Sequence, residues 1–260
     1  MTQSVIVDDS AARIRRITLN RPERMNAFDG ETLAAFHAAI TQAGEPARDI
    51  RVIVIGGTGR AFCAGNDLKW LAGGVLSNPA AHQHHQDLMQ ATYEGLEAAN
   101  QIVIASINGF ALAGGFELAL ACDIMVVAED AQLGDEHMRR NLLPSGGSSQ
   151  RLPRLLGLPR AMYYLVTGRR MTGREAADMG LAALAVSASE LDTATQLLAS
   201  EISGSDAHAL AAMKSMARRS LELPLKDGLA LERWMQHRYR TVSPSLAASV
   251  MNFAAKGAGG

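Results

Sequence analysis

The chain has 260 residues, 48% of them hydrophobic, and a mean hydropathy of +0.02. This length allows one large domain, or one domain with an appendage. Lys and Arg number 25 against 26 Asp and Glu, so the formal charge of -1 provides no general attraction to nucleic acid or to an anionic membrane.

The ends and the cysteines predict an ordinary cytoplasmic protein. No basic segment followed by an apolar run opens the chain, and no apolar stretch reaches about 18 residues, so neither secretion nor membrane spanning is expected. Cys63 and Cys122 lie in apolar surroundings without the spacing of a disulfide framework or a zinc site. We expect both to be reduced thiols in the core.

The N-terminal quarter predicts a hairpin, a helix and a buried strand. Residues 3–8 and 12–19 flank a polar turn. Asp29 precedes apolar residues at helical spacing, which predicts a helix to about Gln42. The strand at 51–56 is followed by a glycine-rich segment over 57–68, for which we expect no regular element. Its glycines lack the spacing of a dinucleotide-binding motif.

The next unit repeats this order. Residues 70–80 are expected to form a loop, and a helix from about 80 to 100 leads into the next strand, so the repetition is of ββα type. His82, His84 and His85 in this helix invite a metal-site interpretation. They lack the spacing of a ligand set, so we expect a solvated helix end and no metal.

The stretch from Ile102 to Ala128 is almost wholly apolar and predicts strand, tight turn, buried helix and strand. Gly114 and Gly115 form the turn, and Glu117 lies in the first turn of the helix. A first-turn glutamate is favoured by the helix dipole alone. Here, however, the carboxylate is expected to be out of water, and burying an unpaired carboxylate is costly, so we infer a functional role.

The C-terminal third of the chain differs from the rest in composition and is predicted to be mainly helical. A short strand and turn at 131–138 precede a loop at 142–150, helical segments to about 180 and a strand at 182–186. Helices are then expected at about 189–202, 206–221, 224–240 and 244–254. We therefore divide the chain into a core, 1–195, and a helical region, 196–260.

Several motifs, in order and spread over nearly the whole chain, resemble the enoyl-CoA hydratase/isomerase (crotonase) superfamily. They are Leu19–Ala27 (LNRPERMNA), Ala61–Leu68 (AFCAGNDL), Asn108–Leu118 (NGFALAGGFEL), Ala121–Asp123 (ACD) and Pro144–Leu152 (PSGGSSQRL). The resemblance implies an α/β fold, a crotonase-like spiral of ββα units with a C-terminal helical trimerisation region. It also implies a homotrimer or a dimer of trimers that acts on acyl-CoA thioesters, with no metal or redox cofactor.

The resemblance also implies a site. Reactions next to a thioester pass through an enolate, which two fixed donors stabilise. By resemblance, these donors are the backbone amides of Ala64 and Gly114. The implied CoA-binding residues are Arg24, Met25, Ala27, Asn66, Asp67, Leu68 and Lys256, although solvated surface charge is an equal interpretation of Arg24 and Lys256.

The chain departs from the family pattern at the second acid. Glu117 matches the first catalytic glutamate of the hydratases, but ungapped counting puts His137 at the second, with Glu136 beside it. Either side chain could supply a proton, or His137 could only hydrogen-bond the loop. The sequence therefore predicts hydration or dehydration of a 2-enoyl-CoA. The alternatives are another crotonase-type reaction (isomerisation, acyl or C–C hydrolysis, decarboxylation) or a weakly catalytic CoA-binding or RNA-binding relative, although aromatic-plus-basic clusters typical of RNA binding are missing.

Overall fold

The computed structural model describes residues 3–243, 250, 251 and 253. The strands are β1 Val5–Asp8, β2 Ile14–Leu19, β3 Val52–Gly57, β4 Ala61–Cys63, β5 Ile102–Ile107, β6 Phe110–Leu112, β7 Ile124–Ala128, β8 Gln132–Gly134, β9 Met171–Thr172 and β10 Leu184–Val186. The helices are α1 Gly30–Ala43, α2 Leu68–Trp70, α3 Pro79–Ala98, α4 Gly114–Ala121, α5 Ser148–Leu156, α6 Leu158–Thr167, α7 Gly173–Asp178, α8 Leu191–Ser203, α9 Ala207–Arg219 and α10 Leu225–Val242.

The chain alternates between a larger and a smaller sheet. The larger has the order β1-β2-β3-β5-β7-β10, and the smaller has the order β4-β6-β8-β9. Apart from the predicted β1-β2 hairpin, neighbouring strands of the larger sheet are parallel. Successive units β3-β4-α3, β5-β6-α4 and β7-β8-α5 each place one strand in each sheet and then a helix. This arrangement confirms the predicted spiral of ββα units.

The elements form where the apolar pattern predicts them. Strands β3 and β5 are covered on both faces, as their continuous β-branched runs indicate. Helix α1 begins after Asp29, whose side chain accepts a hydrogen bond from the Thr32 amide at 2.8 Å, and it buries Leu33 and Phe36. Helix α4 is buried along its whole length, so the glutamate it carries is interior.

Two local predictions are wrong. The segment 57–68 contains a regular element, β4, because Ala61–Cys63 pairs with β6 almost 50 residues further along the chain. The expected loop at 70–80 instead continues α2 into a π-helical turn over Leu71–Val75. Strand β4 depends on its long-range pairing, and α2 begins where the Asp67 side chain caps it. Local composition indicates neither.

The C-terminal helices differ in how they contact the core. Helix α8 packs against β5 and β3 and buries Thr195 and Ala199, while α9 and α10 pack on each other. The predicted division at about residue 196 falls inside α8 and stays a prediction. The helix expected at about 244–254, apart from residues 250, 251 and 253, and Lys256 lie outside the described residues. Among the described helices, none combines the length and apolarity that crossing a bilayer requires.

Candidate active site

Two glycine-containing turns meet where β4 and β6 end. The strands are parallel neighbours, with Cys63 opposite Ala111, so the segments that follow leave the same edge of the smaller sheet. A Cβ added at Gly65 would lie 2.7 Å from the Gly114 amide nitrogen, and Gly65 has a φ of +85°. Glycine tolerates both the close approach and the positive φ, whereas any other residue would clash with Gly114 and strain the backbone.

The two amides predicted to hold the enolate differ in their present partners. Gly114 begins α4, and the first N–H groups of a helix lack an intrahelical acceptor. The Tyr93 hydroxyl donates to the Gly114 carbonyl oxygen at 2.7 Å and so holds the next peptide group, Gly114–Gly115. The Ala64 amide instead donates to the Met25 carbonyl oxygen at 3.0 Å. An oxyanion at Ala64 must share or replace that bond, and the pairing of the two amides stays a prediction.

Glu117 is fully buried, at 0% exposure, and only one of its two oxygens is held. Oε1 accepts hydrogen bonds from the amides of Gly146, at 2.8 Å, and Ser148, at 3.1 Å. Oε2 has no hydrogen-bond partner within the part of the chain that the structure describes. Burial raises the pKa of Glu117, and the two amides and the charge of His137 only partly oppose this rise. The geometry leaves Oε2 as a preoriented proton acceptor.

The loop that holds Glu117 is itself fixed by an ion pair. Arg151 donates to both carboxylate oxygens of Glu97, at 2.7 and 2.8 Å, and to the Gly146 carbonyl oxygen at 2.5 Å. Two parallel bonds from one guanidinium define its orientation better than a single bond does. The amide donors therefore reach Glu117 from a supported loop.

His137, which is half-buried, pairs with the buried Asp135. Its Nδ1 lies 2.9 Å from Oδ1 of Asp135, a carboxylate only 1% exposed that also accepts the Ser148 hydroxyl. Burial lowers the pKa of His137, but the hydrogen bond and charge of Asp135 and the charge of Glu117 outweigh it, so the net pKa is raised. The Ser148 amide donates to Glu117 and its hydroxyl donates to Asp135, the partner of His137, so these hydrogen bonds bring Glu117 and His137 into one site.

Glu136 occupies a different environment from His137. Its carboxylate is 2% exposed and pairs with Arg170 at 2.6 Å, Arg139 at 3.0 Å and Arg140 at 3.5 Å. Burial raises the pKa of Glu136, but Arg170 and Arg139 outweigh it and hold the pKa below its usual range. A carboxylate held ionised by arginines is a poor proton donor, so the contacts favour His137 as the acid.

The two segments expected to bind CoA lie side by side. The Phe28 amide donates to the Gly65 carbonyl oxygen at 2.7 Å, and the Asp67 amide donates to the Phe28 carbonyl oxygen at 2.8 Å. Met25 and Ala27 therefore lie on one segment and Asn66 on its neighbour, as the resemblance implies.

The predicted CoA-binding side chains differ in exposure. Arg24 and Leu68 are exposed, whereas Asp67 is buried, caps α2 and pairs with Arg21 at 3.2 Å. The Asp67 carboxylate is thus already used within the protein, and its backbone amide and carbonyl are also hydrogen-bonded, to Phe28 and Leu71. CoA binding at these residues stays a prediction.

The expected solvated histidine cluster is wrong for His85. This side chain is 3% exposed, places Nε2 2.8 Å from Oδ1 of Asn66 and packs on the Trp70 ring at 4.7 Å between centroids. It lies on the inward face of α3, four and eight residues before the buried Met89 and Tyr93. That spacing of four was the signal available in the sequence. No group of His, Cys, Asp and Glu suited to a metal occurs among the described residues.

Sequence reasoning also missed Tyr93, Asp135 and Ser148 as members of the site. Tyr93 follows Met89 by four residues, so both lie on the inward face of α3. This helical spacing could have identified Tyr93 as an inward residue. Asp135 and Ser148 carried no such signal, because their contact joins the end of β8 to the start of α5. Only the folded chain brings them together.

Comparisons with known proteins find similar chains that match over most of their length. The enoyl-CoA hydratase/isomerase family model matches residues 9–258. The chain is 35% identical over 237 residues to "Probable enoyl-CoA hydratase echA8" of Mycobacterium bovis, covering 91% of this chain and 90% of that protein. It is 30% identical over 238 residues to the peroxisomal Delta(3,5)-Delta(2,4)-dienoyl-CoA isomerase of Arabidopsis thaliana, covering 88% and 85%. The crystal structure of enoyl-CoA hydratase from Bacillus anthracis matches with a TM-score of 0.91 and 34% identity, over 98% of this chain and 97% of that chain.

Proposed function

Because the chain belongs to the enoyl-CoA hydratase/isomerase family, we propose that it adds water across the 2,3 double bond of a 2-enoyl-CoA, or removes it. The observation that carries the proposal is the Glu117 carboxylate, which is buried, is oriented by two amides and has no partner for Oε2 among the described residues, with His137 connected to it through Asp135 and Ser148. Water addition needs a base on one atom and an acid on the next, and these two side chains supply both.

The thioester is activated by backbone donors in this proposal. As the nucleophile attacks C3, negative charge grows on the thioester oxygen, where the Gly114 amide and, after leaving Met25, the Ala64 amide would meet it. Each such donor contributes about 3 kcal/mol in the transition state. No metal or redox cofactor takes part, since amide dipoles perform the polarisation.

The protons balance without an outside reagent. Water gives its oxygen to C3 and its proton to Oε2 of Glu117, and the enolate takes a proton at C2 from Nε2 of His137. The product is the 3-hydroxyacyl-CoA, with Glu117 protonated and His137 neutral. A proton passing from Glu117 to His137, directly or through water, restores the starting state. Dehydration is the reverse.

Isomerisation is the second candidate, because the Arabidopsis relative is a dienoyl-CoA isomerase and because Glu117 alone could move one proton along the acyl chain. The test is a product assay on crotonyl-CoA with the Glu117→Gln variant, since glutamine keeps the shape and loses the base. We expect 3-hydroxybutyryl-CoA from the unchanged protein and at least about a 100-fold loss of turnover in the variant, with CoA-ester binding retained.

The matched control is Glu129→Gln, a glutamate on the surface. It should leave turnover unchanged. Full activity in Glu117→Gln would remove the base from the proposal, and conversion of a 3-enoyl-CoA without hydration of crotonyl-CoA would favour isomerisation.

We further propose that the protein assembles as a homotrimer or a dimer of trimers. Support comes from the apolar residues on α10 and beyond it, where Leu225 is 78%, Trp234 53% and Met251 71% exposed. An interface with other copies of the chain would cover these apolar side chains.

A further inference from the structure

Asp135 is a buried carboxylate to which the proposed reaction, carried by Glu117 and His137, assigns no role. It follows β8 and is 1% exposed, so it must be paired to be tolerated in the interior. Its Oδ1 receives two contacts, from Nδ1 of His137 at 2.9 Å and from the Ser148 hydroxyl. Both partners belong to the site.

Ser148 connects the two halves of the site. Its amide donates to Oε1 of Glu117 at 3.1 Å, while its hydroxyl donates to Asp135. A continuous chain of hydrogen bonds therefore runs from His137 through Asp135 and Ser148 to Glu117. Serine supplies both donors from one residue at the start of α5, so a shift of this residue would move the base and the support of the acid together.

We propose that Asp135 is a positioning residue, which accepts a hydrogen bond from Nδ1–H of His137 and leaves Nε2 as the atom that delivers a proton to the substrate, with Ser148 holding Asp135 in place. The inference rests on the proposed hydration function. A carboxylate on one ring nitrogen fixes both the tautomer and the plane of an imidazole. The acid of this site is thus a pair in which Asp135 orients and His137 reacts.

The charges around His137 agree with this assignment. Asp135 faces it from the loop after β8, Glu117 from α4, and Arg140 from the same 3-10 turn as His137. Two carboxylates against one guanidinium favour the imidazolium form. Asp135 is the partner in direct contact, so its removal should have the largest effect on His137.

The experiment compares Asp135→Asn with the unchanged protein by nitrogen-15 NMR of the His137 ring and by the pH dependence of kcat. His137→Gln identifies the His137 signal among the seven histidines. Asparagine preserves the shape but removes the charge. We expect the pKa of His137 to fall by at least about one pH unit and its neutral form to lose the preference for Nδ1–H. Turnover should fall about 100-fold with little change in KM, and its basic limb should move to lower pH.

Two control pairs isolate the effect. Asp130→Asn changes an exposed carboxylate on the turn before β8 and should leave ring signals and turnover unchanged. Ser148→Ala should lower turnover about 10-fold, the worth of a hydrogen bond to a charged group, whereas the exposed neighbour Ser149→Ala should not. Should Asp135→Asn prove too unstable to purify, the His137 ring titration is compared in Ser148→Ala and Ser149→Ala: we expect the pKa of His137 to fall in Ser148→Ala alone, and an unchanged titration in both would overturn the inference.

The NMR result separates this inference from the proposed function. An unchanged titration and tautomer of His137 in Asp135→Asn would overturn the inference even if activity fell, because Asp135 would then be a scaffold residue. If the unchanged protein does not hydrate crotonyl-CoA, the proposed function fails while the ring signals still report whether Asp135 fixes His137. If Asp135→Asn shifts the titration of His137 but His137→Gln keeps full turnover, the pair has no catalytic consequence. That result would also overturn the inference.

Discussion

Gly146 offers the sharpest test of how closely the base is held. A Cβ at this position would lie 2.6 Å from Oε2 of Glu117 and 2.7 Å from the Tyr93 ring. Ordinary contact begins at 3.4 Å, so Gly146→Ala requires the carboxylate or the loop to move by about 0.8 Å. Neither Tyr93, whose hydroxyl is bonded to Gly114, nor the loop, which Arg151 clamps, can yield freely.

The magnitude follows from this displacement. Misplacing a reacting group by about 1 Å can cost about 100-fold in rate, so we expect kcat of Gly146→Ala on crotonyl-CoA to fall about 100-fold. KM should change much less, because Gly146 contacts the base and not the predicted CoA segments. Overpacking of the buried site should also lower the free energy of unfolding by about 1–3 kcal/mol. Steady-state kinetics and denaturant unfolding measure the two effects.

Gly95→Ala is the matched control. Gly95 lies inside α3 and an added Cβ would meet nothing within 4 Å, so this variant should keep its activity and gain up to about 1 kcal/mol from the better helix propensity of alanine. Normal kcat in Gly146→Ala would refute the reasoning, since Glu117 would then work from a position the structure does not require. Equal losses in both variants would point to general instability.

Two further predictions concern residues outside the reaction. Glu136→Gln should leave kcat unchanged and lower the free energy of unfolding by about 1–2 kcal/mol at neutral pH. Because the pKa of Glu136 is lowered in the folded state, its contribution to the free energy of unfolding is full above the ordinary pKa of 4.5 and is lost as the pH falls through the folded pKa. Chemical unfolding at several pH values measures the size and the sign of this contribution. Light scattering should give the mass of a trimer or hexamer, and Leu225→Asp with Trp234→Asp should lower it, while Leu76→Asp, exposed on a different segment, should not. A monomeric mass for the unchanged protein, or a large loss of kcat in Glu136→Gln, would contradict these expectations.

Patterns with a local physical cause could be read from the sequence. The period of apolar residues and the Asp29 cap predicted α1, and the continuous β-branched runs predicted β3 and β5. The buried helix around Glu117 followed from residues that are apolar on every side. In each case, the information lies within a few residues of the element it specifies.

Contacts between distant segments could not be read in this way. Strand β4 is three residues long and forms because β6 lies beside it. His85 is buried because Asn66 and Trp70, on a separate segment, cover it. The Ala64 amide is engaged by Met25, nearly 40 residues earlier, which no pattern in the glycine-rich turn indicates. Each depends on which segments the spiral brings together.

The choice between Glu136 and His137 shows how one backbone angle decides chemistry. The sequence left a one-residue ambiguity at the second acid position, since neighbouring side chains of an extended chain point to opposite sides. Glu136 has a φ of +52°, an unusual value for a non-glycine residue, and the 3-10 turn begins immediately after it. Its carboxylate is directed to Arg170, while the next residue contacts Asp135. The three arginines pair with the Glu136 carboxylate, so the side chain that connects to Glu117 through Asp135 and Ser148 is the imidazole of His137 and not a second carboxylate.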